Sequence, residues 1–152
     1  CWGKKRAVNS ENNQQIGMSR GGNNTKIHAV VDGLGNPVYV ELSAGNIHDV
    51  SIAEDVLSNV SIKDSIVMAD KAYGSKAVRE SIEQSGSSYC IPPKSNNKEP
   101  WECDWWQYKE RHLVECFFQK LKQFRRVATR YDKLANRFLA FVHLACICIL
   151  LK

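Results

Sequence analysis

At 152 residues, with 43% hydrophobic and 24% charged residues, the chain has the material for one core and is short for two independent domains. The net charge of +5 is uneven: residues 120–137 carry seven Lys or Arg against one Asp, whereas 29–99 hold ten acids against six bases. A basic C-terminal segment beside an acidic middle suggests a polyanion-binding surface next to a cation site, the alternative being a solvated basic helix end. Six cysteines without a C-x-x-C pair read as free thiols in a reducing cytoplasm, with no disulfide scaffold or zinc ribbon. No signal peptide is expected, and the apolar run Phe138–Leu151 is too short to span a bilayer, so it reads as a buried helix.

Residues 1–24, rich in Asn, Gln and Gly, read as a basic polar arm, and residues 25–152 as the folded domain. Within the arm, Arg20 in Ser19-Arg20-Gly21-Gly22, together with Lys26 just beyond it, suits contact with phosphate. Thr25–Asp32 and Pro37–Ser43 are β-branched runs around a Gly33, Gly35, Asn36 turn and predict a hairpin. Ser51 and Glu54 mark a capping box for a short helix. Ser65–Ala69 predicts a buried strand ending at Asp70, Ser75 opens a helix that Gly86 ends, and Tyr89–Ile91 is a brief strand stopped by Pro92 and Pro93. Alternation of this kind indicates an α/β domain with a mixed sheet.

Asp104, with Gln107 three residues on, predicts the start of a helix. Along it Tyr108, Arg111, Glu115, Gln119 and Lys122 share one narrow arc, while Leu113, Val114, Phe117, Leu121 and Phe124 take the other side. A last helix is expected from about Lys133.

The spacing Tyr108, two residues, Arg111, three, Glu115, six, Lys122 resembles the signature of bacterial insertion-sequence DDE transposases. ERHLVE, FFQKLKQFRRVATRY and FLAFVHLA resemble the end of the family-five catalytic domain, and the resemblance reaches back to about Ile16. It implies a ribonuclease-H-like fold, element-end and target DNA as partners, an oligomer in the intact enzyme, and a bacterial cytoplasmic, nucleoid-associated setting. Ala69-Asp70-Lys71-Ala72-Tyr73 is similar to the family's second catalytic motif, with Ala72 where Gly is expected. The resemblance implies Asp70 and Glu115 as catalytic and metal-binding carboxylates, with Tyr108, Arg111 and Lys122 toward DNA. Arg125, Arg126 and Arg130 extend that basic surface.

Phosphodiester cleavage requires charge neutralisation at the entering and leaving oxygens, which divalent ions on carboxylates provide, and Mg2+ or Mn2+ is the expected cofactor. In the resembling family the first catalytic Asp lies on a strand upstream of the basic arm, so the chain is expected to lack its first, central strand. Asp32 reads as a turn residue, Asp49 as an N-cap after His48, and His143 as a core histidine. A non-catalytic DNA-binding or regulatory remnant is the alternative function, and a metal-dependent nuclease that does not transpose is a third.

Overall fold

The computed structural model describes residues 14–19 and 22–152. The first of its two sheets holds β1 (Gly17–Ser19), β2 (Gly22–Val31) and β3 (Pro37–Ala44), antiparallel in that order. β1 pairs only with residues 22–24 of β2, and β3 pairs along Thr25–Val31. The hairpin turn forms as expected. Asp32 Oδ1 accepts the amides of Leu34 and Asn36 at 2.8 and 2.9 Å, and Gly35 takes φ of 82°, which a side chain would resist. The polar arm is thus in part a strand: its backbone bonds to β2 where composition shows no period.

The second sheet pairs β4 (Ile66–Met68) with β5 (Ser88–Cys90) in parallel. They are joined by a 3₁₀ turn at Lys71–Tyr73 and by α2 (Lys76–Gln84), capped by Ser75 Oγ on Val78 N at 3.2 Å and ended through Gly86 at φ 76°. Before it, α1 (Asp49–Ser58) starts at N-cap His48, ahead of the Ser51–Glu54 box. Among the described residues no side chain caps α1; Asp49 lies in its first turn, where a carboxylate meets the positive end of the dipole, and bonds to Lys26. The strand expected to be buried is half-exposed, Ile66 at 46%, because one side of β4 opens on a cavity.

The signature segment is helical but divided. α3 (Trp105–Tyr108) is capped by Asp104 Oδ1 on the amides of Trp106 and Gln107, a 3₁₀ turn spans Lys109–Arg111, and α4 (His112–Lys122) follows. α5 (Arg125–Ala128) and α6 (Ala135–Leu150) complete the chain. α4, α5 and α6 pack on the hairpin sheet through Phe117, Leu121, Val127, Phe138 and Val142 against Leu42. α1 and α2 form a second cluster, in which Ala53, Val78 and Ile82 meet Ile91 and the flanks of β4 and β5. α6 is buried on one side only: Phe138, Val142, Ala145 and Cys146 face in, whereas His143, Leu144, Ile147 and Cys148 are exposed. His143 is therefore a surface residue, because the helix sits at the edge of the core. No helix among the described residues is long and apolar enough to cross a membrane.

Candidate active site

A cavity of about 580 Å³ lies between the two sheets. Residues 27–33 line it from β2 and its turn, residues 65–70 from β4, and Arg111, Val114, Glu115 and Phe118 from the signature helix. Among the described residues the sheets share no backbone pairing, and the sides of β2 and β4 that border the cavity have no strand partner.

Asp70 stands at the end of β4, where the chain leaves the sheet for the 3₁₀ turn, so its carboxylate is exposed at the cavity mouth. Glu115 reaches the same cavity from α4: burial of Phe117 and Leu121 on the core side turns Glu115 outward. Arg111, one turn earlier, pairs with Glu115 at 2.6 Å. Such a partly exposed i, i+4 pair contributes about 0.3–0.5 kcal/mol, so its importance is geometric. Burial would lower the guanidinium pKa, but the Glu115 bond and the charges of Tyr108, Glu115 and Asp70 raise it instead. Arg111 Nε is buried without a hydrogen-bond partner among the described residues. Burial raises the Tyr108 phenol, Arg111 opposes that shift and Asp70 adds to it. Tyr108, Arg111 and Asp70 therefore share one electrostatic neighbourhood.

The other basic candidates separate into two groups. Lys122, Arg125 and Arg126 are exposed, the last with its guanidinium 4.4 Å from the Phe141 ring centroid. Lys26 and Arg130 are engaged within the fold. Lys26 Nζ bonds to Asp49 and to Ile47 O, both at 2.8 Å. Arg130 donates to the carbonyls of Gln14, Asp132 and Lys133 at 2.8–2.9 Å and to Thr25 Oγ1, tying the start of β2 to the approach to α6. Arg20 lies outside the described residues.

Asp32 borders the cavity, yet its oxygens accept the donors of its own turn, and the backbone amides of Asn36 and Leu34 hold its pKa below the usual value. Among the described residues, no three His, Cys, Asp or Glu side chains cluster as a metal site. Asp70 and Glu115 are hard oxygen donors of the kind Mg2+ and Mn2+ take, and two carboxylates with water make a partial site.

The sequence did not single out the buried network behind Asp70. His28 Nε2 lies 2.7 Å from Ser43 Oγ, and the Tyr73 hydroxyl 3.5 Å from His28 Nδ1. Burial, with the charges of Asp49 and Asp70, pushes Tyr73 up to about 12, so the phenol keeps its proton and suits Nδ1 as acceptor. The signal was available: Lys26 and His28 fall on one face of an alternating strand, and Tyr73 belongs to the Asp70 motif.

Burial also lowers the His28 pKa, with Asp49 opposing and Lys26 adding to the shift. Folded His28 thus takes up its proton at lower pH than the unfolded chain does near 6.5, and stability that is full above pH 6.5 falls as the pH drops below it. Urea melts from pH 7.5 to 5 are expected to show this fall for the native chain and a flatter profile for His28→Asn.

Two models described as transposase DDE domain match the chain, over residues 6–101 and 67–152. A Brucella ovis protein named as a candidate transposase for insertion sequence element IS6501 is 38% identical over 129 residues, covering 84% of this chain and 98% of that relative. No solved structure matches significantly. Members of this family act on DNA, and their domains are generally dependent on divalent metal. The breadth of these matches, across both sheets and the signature helix, establishes that the chain belongs to the DDE transposase family of bacterial insertion sequences.

Proposed function

We propose that this chain carries two carboxylates of a metal-dependent DNA strand-cleavage and transfer site, within a ribonuclease-H-like catalytic domain of the family-five type. The observation that carries the reading is the shared cavity: Asp70 from a strand end and Arg111 and Glu115 from a helix border one space. The Tyr108, Arg111, Glu115, Lys122 spacing supports the family-five assignment. The cavity between β2 and β4 supports the fold, because a strand inserted there would join both sheets and could bring a third carboxylate to the end where Asp70 stands.

Asp70 and Glu115 are the residues that would hold Mg2+ or Mn2+. A bound divalent ion would neutralise charge on the scissile phosphate and lower the pKa of a coordinated water. Arg111 holds Glu115 in one orientation and brings a guanidinium to the cavity wall, where a phosphate oxygen could pair with it. The exposed Lys122, Arg125 and Arg126 suit phosphates farther along the duplex. Element-end and target DNA are the substrates in this reading, in a bacterial cytoplasmic, nucleoid-associated setting, with the intact enzyme an oligomer.

A non-catalytic DNA-binding remnant is the second reading, favoured by the lack of a three-carboxylate cluster among the described residues. One experiment separates them: nicking of element-end DNA with Mg2+ by a form of the chain extended upstream with an Asp-bearing strand. Catalysis requires nicking that falls at least about a hundredfold in Asp70→Asn and Glu115→Gln, with duplex binding retained. The remnant reading requires no nicking, only binding that weakens as salt rises. In both, Arg125→Ala with Arg126→Ala should reduce the salt slope by about two. Arg130 is left unaltered because it anchors the fold.

A further inference from the structure

Cys90 and Cys103, separated by 13 positions in sequence, bring their sulfurs to 3.5 Å. Cys90 is 3% exposed at the end of β5 and pairs across the sheet with Met68 of β4, just ahead of Asp70. Cys103 is partly exposed and directly precedes Asp104, whose side chain caps α3. The surrounding chain builds this approach. Trp101 donates Nε1–H to Ile91 O at 2.7 Å and holds the Arg79 guanidinium 3.7 Å from its ring centroid, so segments flanking the two cysteines are drawn together. Cys90 Sγ donates to Asp104 O at 3.2 Å, and Pro92 and Pro93 restrict how the chain leaves β5.

A buried cysteine often serves only as a small apolar side chain, and Cys146 in the α6 core is of that kind. Cys90 and Cys103 differ in that sulfur faces sulfur and one of the two is open to solvent. Cys116, Cys146 and Cys148 make no such contact among the described residues. Burial, the bond to Cys90 and the charge of Asp104 push the Cys103 thiol up to about 11, so at neutral pH it stays protonated and meets an oxidant slowly.

We propose that Cys90 and Cys103 are a modification site, closing under sustained peroxide to a disulfide that clamps the start of the signature segment onto the β4–β5 sheet. The Cys103 thiolate attacks a peroxide oxygen, the O–O bond breaks, and the hydroxide released takes the thiol proton to become water. Cys90 then attacks the sulfur of the Cys103 sulfenic acid, forming the S–S bond and a second water. Two thiols are oxidised and one peroxide is reduced. Side-chain adjustment has to bring the sulfurs from 3.5 Å to about 2.05 Å. The new bond joins the sheet that leads to Asp70 with the segment that leads to Arg111 and Glu115, and it is independent of what the cavity binds.

The test treats the full folded chain with hydrogen peroxide, blocks the remaining thiols, and maps disulfides by trypsin digestion and mass spectrometry. Cleavage after Arg79, Lys94, Lys98 and Lys109 places Cys90 and Cys103 in separate peptides, 80–94 and 99–109, neither of which holds another cysteine. The native chain is expected to yield these two peptides joined as its main disulfide. Its melting temperature should rise by about 5 °C or more and return on adding dithiothreitol. Neither change is expected in Cys103→Ser, whereas Cys148→Ser, which alters an exposed cysteine outside the pair, should keep both. A joined pair no more abundant in the folded chain than in urea overturns the proposal, as does conversion of Cys103 to sulfinic acid in its place. So does a Cys90–Cys103 disulfide that leaves the melting temperature unchanged or lowers it. The comparison of folded and urea-treated protein uses the native chain alone, so it decides the matter even where a variant folds poorly.

Discussion

Phe117→Ala is expected to remove about 3–5 kcal/mol of stability. Phe117 is fully buried, two residues from Glu115, in the cluster that joins α4, α5 and α6 to Leu42 of the hairpin sheet. Domains of this size are stable by only about 5–15 kcal/mol, so one ring takes a large share. The same residue sets the outward direction of Glu115, and the cavity should lose its helical wall with it. Gln119→Ala, on the exposed side of the same helix, is expected to stay within about 0.5 kcal/mol of the native chain. Urea denaturation of both variants, followed by circular dichroism, provides the check; a Phe117→Ala chain as stable as Gln119→Ala would show that α4 is not held as described.

The second large effect concerns the cavity between the sheets. β2 and β4 each present a side without a strand partner among the described residues, and such edges invite association with other chains. A strand-forming peptide placed between them is expected to raise the melting temperature by about 5 °C or more and to suppress aggregation. Hydrogen exchange locates the effect: amides on the cavity side of 27–31 and 66–68 should become protected, while those already paired to β3 and β5 change little. An unchanged melting temperature with no new protection would mean that the two sheets are separate layers and that the ribonuclease-H-like reading is wrong.

Much of this arrangement is legible in the sequence because local chemistry dictates it. Asp32, Gly35 and Asn36 can make little but the observed turn, Ser75 and Asp104 cap as their positions predict, and the 3.6-residue arc places Phe117 inward and Glu115 outward. What was not legible depends on partners distant in sequence. Ile66–Met68 reads as a buried strand from its residues, yet its exposure is set by what lies between it and β2. Lys26 and Arg130 read as phosphate contacts by charge, whereas their hydrogen bonds to Asp49, Ile47, Gln14 and Thr25, which no local pattern shows, give them a part in holding the fold. The pairing of His28 with Ser43 and Tyr73 joins three segments that no local pattern connects.

The most direct test of the account asks whether Asp70 and Glu115 hold one cation, and iron-directed cleavage of the protein backbone answers it without requiring enzymatic activity. Fe2+ in place of Mg2+, with ascorbate and peroxide, generates hydroxyl radicals at its binding site. Cuts are predicted near residues 70 and 115 together, suppressed by excess Mg2+ and lost at both places in Asp70→Asn. Cleavage near only one of the two positions, or a pattern that Asp70→Asn leaves unchanged, would contradict a shared metal site.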